Sequence, residues 1–256
     1  MSRTKDYFME LEEDRRDGWI SHHYPDAEEG SEEWEYAALD YASFLDWEEA
    51  VHEQQFFEES LSNISDRFQH ALQELASMDG RLQSIKDDLL LRLIFSHAIT
   101  VLDSYLIYSA RALLMHDKHL DHFLLHVKNA GFRKDDVKEI LNPKWTEQEP
   151  EQVTPYHFFR WRAQAVLTRT SFQSPKFIKH YFTLMLATPH DWPLDELKRL
   201  VETRNDLIHR NGITTSDERV NLTSSRVADA ISSIRMLILA AGSTFHTEDD
   251  LFNAEF

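Results

Sequence analysis

Residues 81–115 read RLQSIKDDLLLRLIFSHAITVLDSYLIYSARALLM, and this stretch decides the fold class that the sequence predicts. Neither glycine nor proline occurs between Arg81 and Ala130. Mostly apolar residues recur at steps of three and four, the spacing of one face of an α-helix. They are Leu90, Ile94, His97, Val101, Tyr105, Tyr108 and Ala112. We therefore predict a long helix over 82–115, about 50 Å in length at roughly 1.5 Å per residue.

The rest of the chain predicts further helices. Only 6 glycines and 7 prolines occur in 256 residues, whereas β-sandwiches and barrels need many turns. We expect Asp79-Gly80 to end a helix. Pro175 and Pro193 are expected in the first turns of two later helices, and Ser174 is expected to be the N-cap of the first of these. The predicted fold class is an all-α helical bundle with a long central helix. Its other expected helices cover 33–58, 58–78, 118–129, 157–169, 175–187, 193–210 and 220–242, with one short helix within 131–157.

Domain organisation follows from composition. Residues 1–57 are predicted to be an acidic, aromatic-rich helical extension with a loop at 25–31, residues 58–245 the main helical domain, and residues 246–256 a C-terminal tail. Disordered tails are usually poor in aromatic residues, so the extension is expected to pack rather than to remain unfolded. Segment 131–157 ends in a run rich in proline and glutamate, which is typical of an insertion or a flexible loop.

Charge is distributed unevenly along the chain. The net charge is −18, but residues 1–60 alone contain 19 acidic and 4 basic side chains. Residues 61–256 are nearly neutral, so this part of the chain can still bind RNA locally. The acidity of the whole chain disfavours a helical DNA-binding regulator. The absence of cysteine excludes disulfides and thiolate chemistry. No signal-peptide pattern and no run of about 18 apolar residues occurs, so we expect a cytoplasmic protein with no membrane partner.

Residues 197–212, LKRLVETRNDLIHRNG, contain the residues with chemical potential. Leu194, Leu197, Val201 and Ile208 are expected to form the buried stripe of the helix. Asn205 falls on that stripe, His209 follows it by four residues, and Arg204 is long enough to reach the same side. Buried polar groups cost about 1–3 kcal/mol each unless they are paired, so such a trio requires a reason. A structural role remains open, with Arg204 and His209 bonding the last helical carbonyls and Asn205 tying two helices together.

The spacing between Arg204 and His209 does not by itself distinguish them from other residues of the chain. Arg92/His97, Arg111/His116 and Arg204/His209 all have four residues between arginine and histidine. Only the third pair has an asparagine after the arginine, lies near a predicted helix end and is followed by glycine.

RNDLIH followed by RNG resembles the Arg-x(4–6)-His signature of HEPN domains. Upstream, AITVLDSYLIYSARALL is similar to the long HEPN helix, with Asp103 and Tyr105 at its acidic and aromatic positions. The resemblance covers about residues 82–240 and leaves the acidic extension outside.

The resemblance implies a metal-independent RNA endonuclease that works as a homodimer and needs no cofactor. A ribose 2′-OH would attack the adjacent phosphorus and leave a 2′,3′-cyclic phosphate and a 5′-OH end. His209 would move protons, Arg204 would stabilise the transition state, and Asn205 would orient His209 or the phosphate. Arg210 is expected at the dimer contact or in solvent, and Asp103 either supports catalysis or pairs structurally, for instance with Arg204.

The biological role that the resemblance suggests is that of a bacterial toxin or antiviral defence effector, with an antitoxin or regulatory partner. The alternative is a non-catalytic HEPN scaffold or nucleotide-binding module for another protein. A further hypothesis is that the acidic extension mimics RNA and restrains the nuclease.

Two other clusters leave alternatives open. His119, His122 and His126 share a helical face, which is compatible with metal ligation, but histidines near helix ends are more often surface residues. Arg160, Arg162, Lys176 and Lys179, near Phe158, Phe159 and Trp161, are candidates for an RNA-docking surface. The simpler interpretation is that these aromatic residues belong to the core.

Overall fold

The computed structural model describes residues 15–45, 63–82, 84–85, 87–141 and 155–253. The chain divides into two compact units, residues 1–60 and residues 61–256. Each unit is described by itself. Across the described ranges the secondary structure is helical and contains no β-strand, which confirms the predicted all-α class.

The first unit contains helix α1, residues 15–23, and helix α2, residues 32–45. Aromatic rings pack between them, since Trp19 of α1 contacts Tyr41 of α2 at 5.4 Å between ring centroids. Trp19 also stacks on His23 of its own helix at 4.1 Å. Tyr24 donates a hydrogen bond of 2.6 Å to Asp40, which raises the pKa of Tyr24 to about 12. Within the described part of the acidic segment, Trp19, Tyr24 and Tyr41 therefore contact residues of their own unit, around a loop at residues 24–31. The second half of the helix predicted for 33–58 lies outside the described residues.

The second unit contains eight α-helices in its described part, of which the long α4 and α10 are central. Helix α4 packs against α3, α7, α9 and α10, and α3 also packs against α10. At Gly242 of α10, any side chain would overlap the ring of Phe68 on α3, so the glycine permits the close approach of these two helices. The helices are α3 (Ile64–Leu82), α4 (Asp88–Leu113), α5 (Asp117–His126), α6 (Lys134–Leu141), α7 (Pro155–Thr168), α8 (Pro175–Met185), α9 (Leu197–His209) and α10 (Ser224–Asn253), with a 3₁₀ turn at Val127–Asn129.

The boundary between α3 and α4 differs from the prediction. Asp79-Gly80 does not end α3, because Met78 and Leu82 are both buried and packing carries the helix past the glycine. Asp87 begins α4 instead, since its carboxylate accepts the backbone N–H groups of Leu89 and Leu90 at 2.8 and 3.3 Å. The central helix therefore has 26 residues, about 39 Å, instead of the predicted 50 Å.

Other helix ends confirm or correct the sequence-based bounds. Ser174 is the N-cap of α8 and accepts the N–H of Phe177 at 3.4 Å, as predicted. Pro193 lies before α9 and not in its first turn, because the helix begins at Leu197. Residues 246–253, assigned to a tail, continue α10. The single short helix expected within 131–157 is α6, and residues 142–154 of that segment lie outside the described ones.

Helices α4 and α10 are long and apolar enough to cross a membrane when only length and composition are considered. Half of the apolar window in each helix is buried inside the protein. A bundle that surrounds its central helices on several sides requires such apolar helices, so their packing accounts for this property.

Candidate active site at the end of α9

Helix α9 buries Leu197, Leu200 and Leu207 against the bundle. The predicted apolar stripe is wrong at its end, because Ile208 is 48% exposed. The buried face is rotated toward Leu200 and Leu207, since the bundle contacts only one side of the last helical turn. The polar side chains therefore lie at the border of the core and not beneath it.

Arg204, Asn205 and His209 contact one another on this border. Arg204 Nη1 donates to Asn205 Oδ1 at 3.2 Å and lies 3.3 Å from His209 Nε2. Arg204 and Asn205 are half-buried, whereas His209 is exposed. We call these three residues the α9 trio.

The contact within the α9 trio constrains the imidazole. A guanidinium nitrogen can only donate, so Nε2 of His209 must accept and the ring proton of the neutral form lies on Nδ1. Arg204 Nε is buried and has no hydrogen-bond partner among the described residues. The trio therefore places a fixed positive charge against an imidazole at the solvent-exposed rim, and a reacting group reaches the Nε2 lone pair by displacing its contact with Arg204.

A left-handed turn ends α9 immediately after the trio. Asn211 and Gly212 have φ angles of 52° and 80°, and Gly212 N–H donates to Asp206 O at 2.8 Å. Arg210, expected at a dimer contact or in solvent, is exposed and pairs with Asp206 at 2.6 Å. This turn stops the helix one residue beyond His209 and leaves the imidazole at the rim.

Arg92 on α4 supports this turn through a contact that the sequence did not predict. Its Nη1 donates to Asn211 O at 3.3 Å, and its guanidinium pairs with Asp88 at 2.5 Å. A Cβ atom at Gly212 would lie 2.9 Å from the same Nη1 and would displace the end of Arg92, and the φ of 80° favours glycine independently of that contact. The contact joins residues 119 positions apart, and no local spacing signals it.

Asp103 does not pair with Arg204 through any hydrogen bond seen among the described residues. Its carboxylate accepts Phe172 N at 2.6 Å, Gln173 Nε2 at 2.8 Å and Ser171 Oγ at 3.2 Å. The suggested Arg204 pair is therefore wrong, and Asp103 fastens the α7–α8 connection to α4 because it satisfies three donors of one short loop.

Tyr105 is a core residue. It is 2% exposed, and its ring packs on Phe68 at 6.2 Å and on Phe245 at 5.9 Å. Burial raises the pKa of its hydroxyl. Its ring therefore packs between α3, α10 and its own helix α4, and among the described residues it forms no hydrogen bond with the α9 trio.

The two arginines expected to dock RNA have structural contacts. Arg160 donates to Leu114 O at 3.0 Å and to Asp117 Oδ1 at 2.5 Å, and so binds the C-terminal end of α4. The Arg162 guanidinium lies over the Trp161 ring at 4.7 Å. Of the aromatic neighbours, Phe158 is buried and Trp161 is 42% exposed, so the core interpretation holds only in part. By contrast, Lys176 and Lys179 are exposed on α8.

The histidine segment does not converge on a metal. No group of three or more metal-ligating side chains occurs among the residues that the structure describes. His119 is buried, and burial, followed by the charges of His122 and His116, lowers its pKa to about 3. His122 instead faces outward and contacts Leu184 O at 3.0 Å. The helical face predicted for these histidines is therefore divided between core and surface.

Comparison of the chain with known protein families, characterised proteins and solved structures found no match.

Proposed function

We propose that this protein is a metal-independent RNA endonuclease of the HEPN type that acts as a homodimer. The observation that carries the proposal is the contact of the guanidinium of Arg204 with both Asn205 and His209, at 3.2 and 3.3 Å. A spacing of four residues between arginine and histidine occurs by chance. A guanidinium, an amide and an imidazole in mutual contact at a solvent-accessible rim are suited to phosphate chemistry.

In the proposed reaction the substrate supplies its own nucleophile. The ribose 2′-oxygen forms a bond to phosphorus while the bond from phosphorus to the 5′-oxygen breaks. His209 of one chain accepts the 2′-hydroxyl proton, and His209 of the second chain delivers a proton to the departing 5′-oxygen. The products are a 2′,3′-cyclic phosphate and a 5′-hydroxyl end.

Arg204 stabilises the negative charge that accumulates on the phosphoryl oxygens in the transition state. Its partly buried position strengthens this interaction, because fewer water molecules screen the charge. Asn205 holds the guanidinium, so Arg204 keeps its orientation when substrate arrives.

Exposed apolar side chains near the α9 trio support association with a second chain. Ile208 lies next to His209, and Leu89 and Leu93, which are 63% and 53% exposed, lie three residues before and one residue after Arg92 on α4. Since Arg92 contacts Asn211, these side chains belong to one region of the surface. A second copy packed there would remove them from water and would bring two trios together. We further propose that the enzyme acts in the cytoplasm as a toxin or antiviral defence effector.

The test is RNA cleavage by the full chain, with and without a chelator. Wild type is expected to cleave structured RNA in both conditions, to spare DNA of the same sequence and to leave cyclic phosphate ends. His209→Ala should lower the rate by about 10²–10⁴-fold, as expected for loss of a general base or acid. The matched controls, His97→Ala and Arg199→Ala, should retain the wild-type rate. His97 is the exposed histidine of another Arg-x4-His pair, and Arg199 pairs with Glu196 on α9 itself.

Other outcomes would reject the enzyme. Absence of cleavage by a wild-type protein that still forms dimers would favour the non-catalytic scaffold. Cleavage that disappears with chelator would contradict a metal-independent mechanism.

A further inference from the structure

A second basic feature lies beside α9, in a cleft of about 530 Å³ between α8 and the start of α9. Lys176 and Lys179 line it from α8, Lys198 lines it from α9, and residues 190–195 of the connecting loop form the opposite side. We call it the lysine cleft. Residues 176 and 198 are 22 positions apart in the sequence, so only the packing of α8 against the loop brings these ammonium groups to one cavity.

The lysine cleft offers uncommitted positive charge. Lys176 and Lys179 form no hydrogen bond or ion pair with any residue that the structure describes. Lys198 pairs with Glu202 only loosely, at 3.9 Å, and both side chains are well exposed. An exposed pair of this kind contributes about 0–1 kcal/mol, so a phosphate can displace it.

Two acidic residues of the loop, Asp191 and Asp195, also line the lysine cleft. They reduce its excess of positive charge to one, or to two when His190 is protonated. A small free anion therefore gains little here. A polyanion that contacts all three lysines together gains more, because each further contact is intramolecular and releases further counterions.

Hydrogen bonds fasten the loop that forms one wall of the lysine cleft to α10. Glu248 of α10 is fully buried, and it accepts the backbone N–H groups of Ala187 and Thr188 at 2.8 and 2.9 Å and the Thr188 hydroxyl at 2.6 Å. Trp192 Nε1 donates to Thr244 Oγ1 of α10 at 3.0 Å. The loop is thus fastened to the core at two points, and a ligand does not have to order it on binding.

The lysine cleft and the α9 trio lie at opposite ends of α9. Lys198 precedes Arg204 by six residues on one helix, an axial distance of about 9 Å, and His209 lies a further 7 to 8 Å along the same axis. These distances correspond to a few nucleotides of an extended strand. A backbone lying in the cleft can therefore continue along α9 to the trio.

We propose that the lysine cleft binds the sugar–phosphate backbone of single-stranded RNA next to the phosphate that is cleaved. This inference rests on the proposed function for the direction of the strand, but the binding itself does not require catalysis. Single strands commonly follow positively charged grooves in this way, and most of their affinity depends on salt. Such a local site also lets a protein with a net charge of −18 bind RNA at all.

The experiment measures binding of a fluorescently labelled single-stranded RNA by anisotropy at several salt concentrations. All proteins are full chains with His209→Ala, so the RNA stays intact. Lys176→Ala, Lys179→Ala and Lys198→Ala together should raise Kd by about 10- to 100-fold at low salt. The slope of log K against log salt should fall by about 2, since each phosphate contact on a single strand contributes about 0.7. The matched control replaces Lys128, Lys134 and Lys138, three exposed lysines outside the cleft, and should keep the parental slope.

Failure of this inference and failure of the proposed function give different results. If wild type cleaves RNA but the cleft variant binds with the slope of the control, the cleft proposal is wrong and the nuclease stands. If wild type does not cleave RNA, but the cleft variant binds it with a smaller slope of log K against log salt than the control, the cleft binds RNA and the nuclease proposal is wrong. Equal weakening by both triple variants, or no binding at low salt, overturns the cleft proposal.

Discussion

Glu248 is a buried carboxylate on which the position of the α8–α9 loop depends, and Glu248→Gln tests that dependence with almost no change of volume. The wild-type carboxylate accepts three donors and is fully buried. In the variant one oxygen becomes an amide NH₂ group. That group must face either Ala187 N–H or the two donors of Thr188, so at least one donor points at another donor.

The cost follows from these contacts. At least one hydrogen bond to a charged acceptor is lost, worth about 1.5–3 kcal/mol, and the donors left without partners add a further 1–3 kcal/mol. Relief from burying a charge offsets part of this sum. We expect a net loss of about 3 kcal/mol in the free energy of unfolding.

Urea unfolding followed by circular dichroism measures this loss. With a slope of about 2–3 kcal/mol per molar urea, the midpoint should fall by about 1–1.5 M. Glu202→Gln is the control, because Glu202 is exposed and makes only the weak pair with Lys198, and its midpoint should stay within about 0.5 M of wild type. A Glu248→Gln midpoint as high as that of the control would refute the reasoning, since the carboxylate would then not hold the loop.

Two further predictions concern Asp103 and His119. Asp103→Ala removes three hydrogen bonds from the α7–α8 connection and should lower the free energy of unfolding by about 3 kcal/mol. The control Asp121→Ala, at an exposed residue, should leave it almost unchanged. A fall in the cleavage rate of folded Asp103→Ala would contradict its structural assignment. His119 has a folded pKa of about 3 against about 6.5 when unfolded, so it opposes folding once the pH drops below 6.5. Between pH 7.5 and pH 5, the free energy of unfolding of wild type should therefore fall by about 2 kcal/mol more than that of His119→Leu. Urea unfolding at both pH values measures the difference, and an equal fall in the two proteins would count against a buried neutral imidazole.

Local sequence patterns predicted the helical class because helix formation depends on neighbours three and four residues apart. The scarcity of glycine and proline and the cap at Ser174 are local properties of this kind. Predictions failed where packing overrode local signals. Asp79-Gly80 did not stop α3, because Met78 and Leu82 are buried on either side of it.

The candidate site shows the same division. Arg204, Asn205 and His209 lie within two turns of one helix, so helical geometry alone places them within reach of one another. Their exposure was not predictable, since it depends on which face of α9 the bundle covers. Ile208 was expected in the core for that reason and is exposed instead.

By itself, the sequence determined that this chain forms helices and that a guanidinium, an amide and an imidazole lie together at the end of one of them. Only the tertiary structure decided the contact of Arg92 with Asn211, the partners of Asp103 and Glu248 and the assembly of three lysines into one cleft. These groups are brought together by helices that are distant in the chain. Their contacts depend on the packing of whole helical faces, which no local periodicity encodes.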